Sequence, residues 1–170
     1  MSNSLKRYTK AESLYFLQKN KKKLNIKIPK FIFFTKKNYL KDYDNIFKKI
    51  SIKFKKKKII IRSSSQSEDN LNQSNAGKYK SFSNLQVEKE IIRNYINQVI
   101  HDFKSNDDQI IVQEFISNAD LSGVIFTRSI NNNSPYYFIN FDKSGLTNLV
   151  TSGNSNPLMK TITLKRNDKN

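Results

Sequence analysis

The stretch IIIRSSSQSEDNLNQSNAGKYKSFSNL, residues 59–85, sets three consecutive isoleucines against a long polar run. Three adjacent β-branched residues predict a short buried strand at Ile59–Ile61 that ends at Arg62. The polar run from Ser63 to Lys80 has no helical or strand period. Loops of that length are uncommon inside a compact domain unless they have a function. Arg62 emerges where the apolar strand stops, and a guanidinium offers a planar donor fork suited to anionic oxygens. Ala76 and Gly77 interrupt the polar run, and glycine permits a close backbone approach by a ligand. A mobile surface loop, with Arg62 paired to Glu68 or Asp69, accounts equally well for these residues.

On either side the apolar spacing alternates between helix and strand. Thr9 and Glu12 have the spacing of a capping box, which predicts a helix over about 10–22 with Leu14, Tyr15 and Leu17 on one side. Phe31–Phe34 forms a strand. Thr35 then caps one helix carrying Tyr39, Leu40, Tyr43, Ile46, Phe47 and Ile50. Ile91, Ile92, Tyr95, Val99, Ile100 and Phe103 mark a third helix, and strands follow at Gln109–Ile116, Ser122–Arg128 and Tyr136–Phe141, with a turn at Asn131–Pro135. The chain therefore divides near 105. Residues 1–105 form an α/β lobe and 106–170 a strand-rich lobe.

Composition narrows the chemistry. Among 170 residues, 31 Lys and Arg face 14 Asp and Glu, a net charge of +17. Such a balance fits a basic, non-catalytic module for nucleic acid. Yet 26 of the positive residues are Lys, and the runs Lys21–Lys23 and Lys55–Lys58 lack the arginine and aromatic interleaving that base stacking uses, so a solvated surface is the preferred reading. With no cysteine and His101 as the single histidine, thiolate zinc and multi-histidine sites are excluded. No apolar run reaches the roughly 18 residues of a membrane span. The expected compartment is the cytoplasm, with no membrane partner.

Residues 59–85 resemble the nucleotide-binding domain of phosphoenolpyruvate synthase and pyruvate, phosphate dikinase. That family has Arg-Ser-Ser, an acidic pair, an Ala-Gly element, then Thr or Ser before Phe-x-Asn-Val/Leu. The counterparts are Arg62, Ser63, Ser64, Glu68, Asp69, Ala76, Gly77, Ser81, Phe82, Asn84 and Leu85. Three further blocks follow the family in order. TKAESL at 9–14 resembles its opening, with Tyr8 and Thr9 in place of glycines; IIVQEFISNADLSGVIFTRS at 110–129 resembles its Val-Gln strand and Ser-Gly-Val-x-Phe-Thr; TSGNSNP at 151–157 resembles a later turn, one residue shorter.

The resemblance implies an α/β (α+β), ATP-grasp-like fold in which two lobes close on ATP, with the C-terminal part missing. It implies that Lys10 and Arg62 contact the phosphates, that the loop from Gly77 to Ser81 covers them, and that Gln113, Glu114 and Phe115 lie along the adenine. Gly123 and Thr127 are strand-packing positions, Arg128 is a phosphate contact or a surface charge, and His101 is a helix-surface residue. The family also implies Mg2+, but past Glu114 there is no Glu, and neither Asp142 nor Asp168 sits in a recognisable metal motif. The phosphorylated histidine and acceptor domains are absent. The expectation is the ATP-binding part of a synthase- or dikinase-like phosphotransferase, inactive alone and completed by a second polypeptide. The alternatives are the nucleic-acid module, or an interaction subunit that keeps the fold and has lost ATP.

Overall fold

A computed structural model describes residues 8–65, 69–70, 73–74, 80–117, 119–129, 132–144 and 159–166. The chain forms two compact units, Met1–Phe115 and Ile116–Asn170. The first holds α1 (Lys10–Leu24), β1 (Phe31–Thr35), α2 (Lys36–Lys41), α3 (Tyr43–Phe54), β2 (Ile59–Ser64), β3 (Asp69–Asn70), β4 (Gln73–Ser74), β5 (Ser81–Leu85), α4 (Lys89–Ile100) and β6 (Gln109–Glu114). Four strands make one antiparallel sheet in the order β1-β6-β2-β5, and β3 pairs with β4 as a separate short ribbon. The unit is α+β.

Strand β6 explains the sheet. Ile110, Ile111 and Val112 are consecutive and all buried, so this strand is covered on both faces. Ile110 and Val112 join Ile59 and Ile61 beneath Ile46, Ile50 and Phe54 of α3 and Ile92, Ile96 and Val99 of α4. On the opposite face Ile111 meets Phe31 and Ala11, with Leu14 and Ile28 beside them. Because β6 sits between β1 and β2, the first unit extends to Phe115; the change of period near 105 marks the turn that leads into it.

Three elements differ from the sequence expectation. The single helix after Thr35 is two, because Asp42 leaves helical geometry (φ −156°) and its carboxylate caps α3 by accepting the Asn45 N–H at 3.1 Å. Strand β2 runs on through Ser63 and Ser64, which pair with Ile110 and Gln109, so Arg62 lies inside the strand. On α1, Leu14 packs beside buried Ala11 while Tyr15 is exposed.

Between α2, α3 and α4 lies an aromatic cluster. The Tyr39 hydroxyl donates to Asn97 Oδ1 at 2.7 Å, the Tyr43 hydroxyl donates to the Lys89 carbonyl, and the Arg93 guanidinium lies 4.5 Å from the Tyr43 ring centre. Burial, with the neighbouring Tyr39, pushes the Tyr43 phenol up to about 12. A folded-state value above the unfolded one holds its full stabilisation below pH 10 and loses it as pH rises toward 12. Urea midpoints taken across that window should therefore fall with pH in the wild type and fall less in Tyr43→Phe. An equal fall in both would mean that this phenol does not set the alkaline limit.

The second unit holds β7 (Ser122–Phe126), β8 (Tyr136–Asp142) and β9 (Lys160–Lys165), an antiparallel sheet in that order. Of the expected turn at Asn131–Pro135, residues 132–135 are described, and Asn133 takes the left-handed conformation (φ 57°) that asparagine tolerates. A Cβ on Gly123 would fall 2.7 Å from the Asn140 carbonyl oxygen, so close strand packing requires glycine there. Among the described residues no helix is long and apolar enough to cross a membrane.

Candidate functional site

The alternation of β2 gives its two faces different chemistry. Ile59, Ile61 and Ser63 point to the α3 and α4 side, whereas Ile60, Arg62 and Ser64 share the face on which α1 lies. Arg62 is exposed there. Its register partner on β5 is Ser81, so two residues far apart in sequence stand side by side, with Cβ atoms about 5 Å apart as in any directly opposed pair. Gln113 lies on the same face, opposite Ile60 and Phe31.

Lys10 reaches this region through its helix. The capping box is complete: Glu12 N–H donates to Thr9 Oγ1 at 3.2 Å, and Thr9 N–H donates to Glu12 Oε2 at 2.8 Å. The Ala11 N–H donates to Ser64 Oγ at 2.9 Å. Lys10, between Thr9 and Ala11, is thereby brought beside β2 at Ser64, itself one same-face position from Arg62. Two first-turn amides, those of Ala11 and Glu12, are occupied by protein groups.

The remaining expected site residues lie as follows. Glu114 pairs with Lys57 across the start of β2, and its N–H donates to the Lys30 carbonyl at 2.8 Å. The Phe115 N–H donates to the Lys58 carbonyl at 2.9 Å. Both amides are thus engaged within the unit. Gly77 lies outside the described residues, as do the side chains of Glu68 and Asp69. His101 caps the end of α4, exposed, with Nδ1 2.9 Å from Asp102 Oδ1; α4 packs on the face opposite Arg62. Arg128 donates to the Asn133 carbonyl at 3.2 Å in the second unit.

A polar cavity of about 500 Å3 opens at the Ser64 end of the sheet, lined by Thr9, Glu12, Ser64, Ser65, Asp108 and Gln109 among others. Asp108 accepts the N–H groups of Lys104 and Ser105 at 3.1 and 3.0 Å, so its carboxylate organises the turn before β6. Among the described residues no cluster of three or more His, Asp or Glu side chains could hold a metal ion.

Sequence reasoning singled out Arg62, Ser81 and Lys10 but not Gln109, whose side-chain oxygen accepts the Thr9 hydroxyl at 2.8 Å. Its one signal was the polar start of an otherwise apolar strand.

The family model described as "Pyruvate phosphate dikinase, AMP/ATP-binding domain" matches residues 8–107, more than half of the chain. The match contains Lys10, Arg62, Gly77 and Ser81, and ends before β6 and Gln113–Phe115. No curated protein matches.

Proposed function

We propose, since the chain belongs to the AMP/ATP-binding domain family of pyruvate phosphate dikinase, that it binds ATP on the sheet face shared by Arg62, Ser81 and the Lys10 end of α1. The observation that carries this reading is the register of Arg62 with Ser81, together with the bond from Ala11 to Ser64 that brings the helix start to the same face. Arg62 supplies a bidentate fork, Ser81 a hydroxyl donor and Lys10 a point charge, three complementary ways of holding phosphate oxygens. Glycine at position 77 lets the segment leading to Ser81 close over the phosphates with its main chain.

Adenine lies toward Gln113–Phe115 in this reading. The amides of Glu114 and Phe115 are engaged, so the base is met by the Gln113 side chain and by carbonyl oxygens. The function is the ATP-holding step of a synthase- or dikinase-like phosphotransferase, in which phosphoryl transfer depends on positioned cations around the triphosphate. The carrier histidine comes from outside these 170 residues, because His101 stands on the helix layer across the sheet from Arg62.

Calorimetric titration at 0.15 M and 0.5 M KCl tests the reading, with ATP, AMP and inorganic tripolyphosphate as ligands. Saturable ATP binding that AMP competes and that survives the higher salt is the expected result. ATP binding no tighter than tripolyphosphate and lost with salt would mean that net charge alone attracts the nucleotide.

A further inference from the structure

The first turn of α1 is tied to the sheet by a closed relay of hydrogen bonds. The Ala11 N–H donates to Ser64 Oγ at 2.9 Å, and the Ser64 hydroxyl donates onward to Gln109 Oε1 at 3.4 Å. The same Gln109 oxygen accepts the Thr9 hydroxyl at 2.8 Å, and Thr9 Oγ1 accepts the Glu12 N–H at 3.2 Å. Every donor in the set has one acceptor. Ser64 is completely buried and Thr9 nearly so.

Helix formation does not require this relay. The reciprocal Thr9 and Glu12 bonds already satisfy the helix start locally. What Ser64 and Gln109 add is the place where the helix docks. Apolar packing determines that place loosely: α1 buries only Ala11 completely, with Leu14 beside it, against Phe31 and Ile111, and Tyr15 meets the Phe33 ring only edge-on at 6.2 Å while it and Phe16 stay exposed. So small an apolar contact is non-directional and tolerates sliding, whereas hydrogen bonds fix distance and angle. Arg62 lies one same-face position from Ser64, about 7 Å along the strand.

We propose that Ser64 and Gln109 are positioning residues, whose relay pins the first turn of α1 to β2 and β6 and so holds Lys10 beside the strand that carries Arg62. The consequence for nucleotide binding rests on the ATP reading above; the pinning itself is independent of any ligand.

Two measurements on the full chain test it. Amide hydrogen exchange compares wild type with Ser64→Ala, which is nearly isosteric, and with Gln109→Leu as a second way of breaking the relay. Exchange through α1 should rise about tenfold in both, as expected for loss of a buried hydrogen-bond anchor. Ser63→Ala, an equally buried serine facing the other side, should leave α1 unchanged. ATP calorimetry then closes a double-mutant cycle: Ser64→Ala weakens binding about 3- to 10-fold in the wild type and has no further effect in a Lys10→Ala background. A purely structural serine would lower affinity equally in both backgrounds, and that result would overturn the inference. So would α1 exchange that Ser64→Ala leaves unchanged, whatever ATP does. Raised α1 exchange in Ser64→Ala, with a wild-type chain that fails to bind ATP, would support the pinning and overturn the ATP reading instead.

Discussion

Arg62→Ala weakens ATP binding about 10- to 100-fold, the loss expected when a charge-assisted contact worth about 1.5–3 kcal/mol is removed. The variant should fold normally, because Arg62 is exposed on β2 and its truncation opens no cavity. The matched control is Lys53→Ala. Lys53 is an exposed cation on α3, a helix packed on the other face of the sheet, so the net charge falls by the same amount while the face carrying Ser81 is untouched. Lys57 would serve poorly as a control, since it pairs with Glu114. Arg62→Lys should fall between the two, keeping the charge and losing the fork. Calorimetry at physiological salt gives the comparison, and equal losses for Arg62→Ala and Lys53→Ala would show that the site is no more than the chain's overall charge.

The largest stability effect should come from Phe54→Ala, at about 3–5 kcal/mol. Phe54 closes α3 and is almost completely buried, among Ile59, Ile61 and the Ile92, Ile96 and Val99 stripe of α4. Removing a ring there leaves a void that two helices and a sheet line together, and the sheet cannot collapse into it without breaking its own pairing. For a domain whose total stability is about 5–15 kcal/mol the loss is a large share. The chain has no tryptophan, so urea unfolding is followed by far-ultraviolet circular dichroism. Leu40→Ala on α2, which removes an exposed side chain, should stay within about 0.5 kcal/mol. Similar losses for the two would show that α3 does not close the core.

The elements that sequence reasoning found, and those it missed, separate by what covers them. Helices α3 and α4 were legible because Ile46 and Ile50, like Ile92, Val99 and Ile100, return to one face at helical spacing and are buried there. Strands β5 and β9 were not called from their residues. Strand β5 buries only Leu85, and every residue of β9 is exposed, so neither shows the alternation that burial imposes. The break at Asp42 escaped notice because the apolar period runs through it unbroken; the aspartate's preference for capping interrupts the helix. Ser63 and Ser64 looked like the start of a loop, since hydroxyls seldom fill a strand core. They are buried because β6 lies alongside and the Ala11 amide bonds to Ser64 from above.

Local order alone determined the capping box at Thr9 and Glu12, the strand core at Ile59–Ile61, the helical stripes and the Arg-Ser-Ser block that marks the family. Each depends on residues within a turn or a pleat of one another, where spacing is a direct record of structure. The meetings of Arg62 with Ser81, of Ala11 with Ser64 and of Thr9 with Gln109 belong to the folded chain. They follow from the strand order β1-β6-β2-β5, and no periodicity records a hydrogen bond between residues 53 or 100 positions apart. Which face of β2 carries the arginine was implicit in its alternation; that α1 would lie on that same face came from burial of the apolar row Ala11, Leu14, Phe31 and Ile111, an energy that exists only once the sheet has formed.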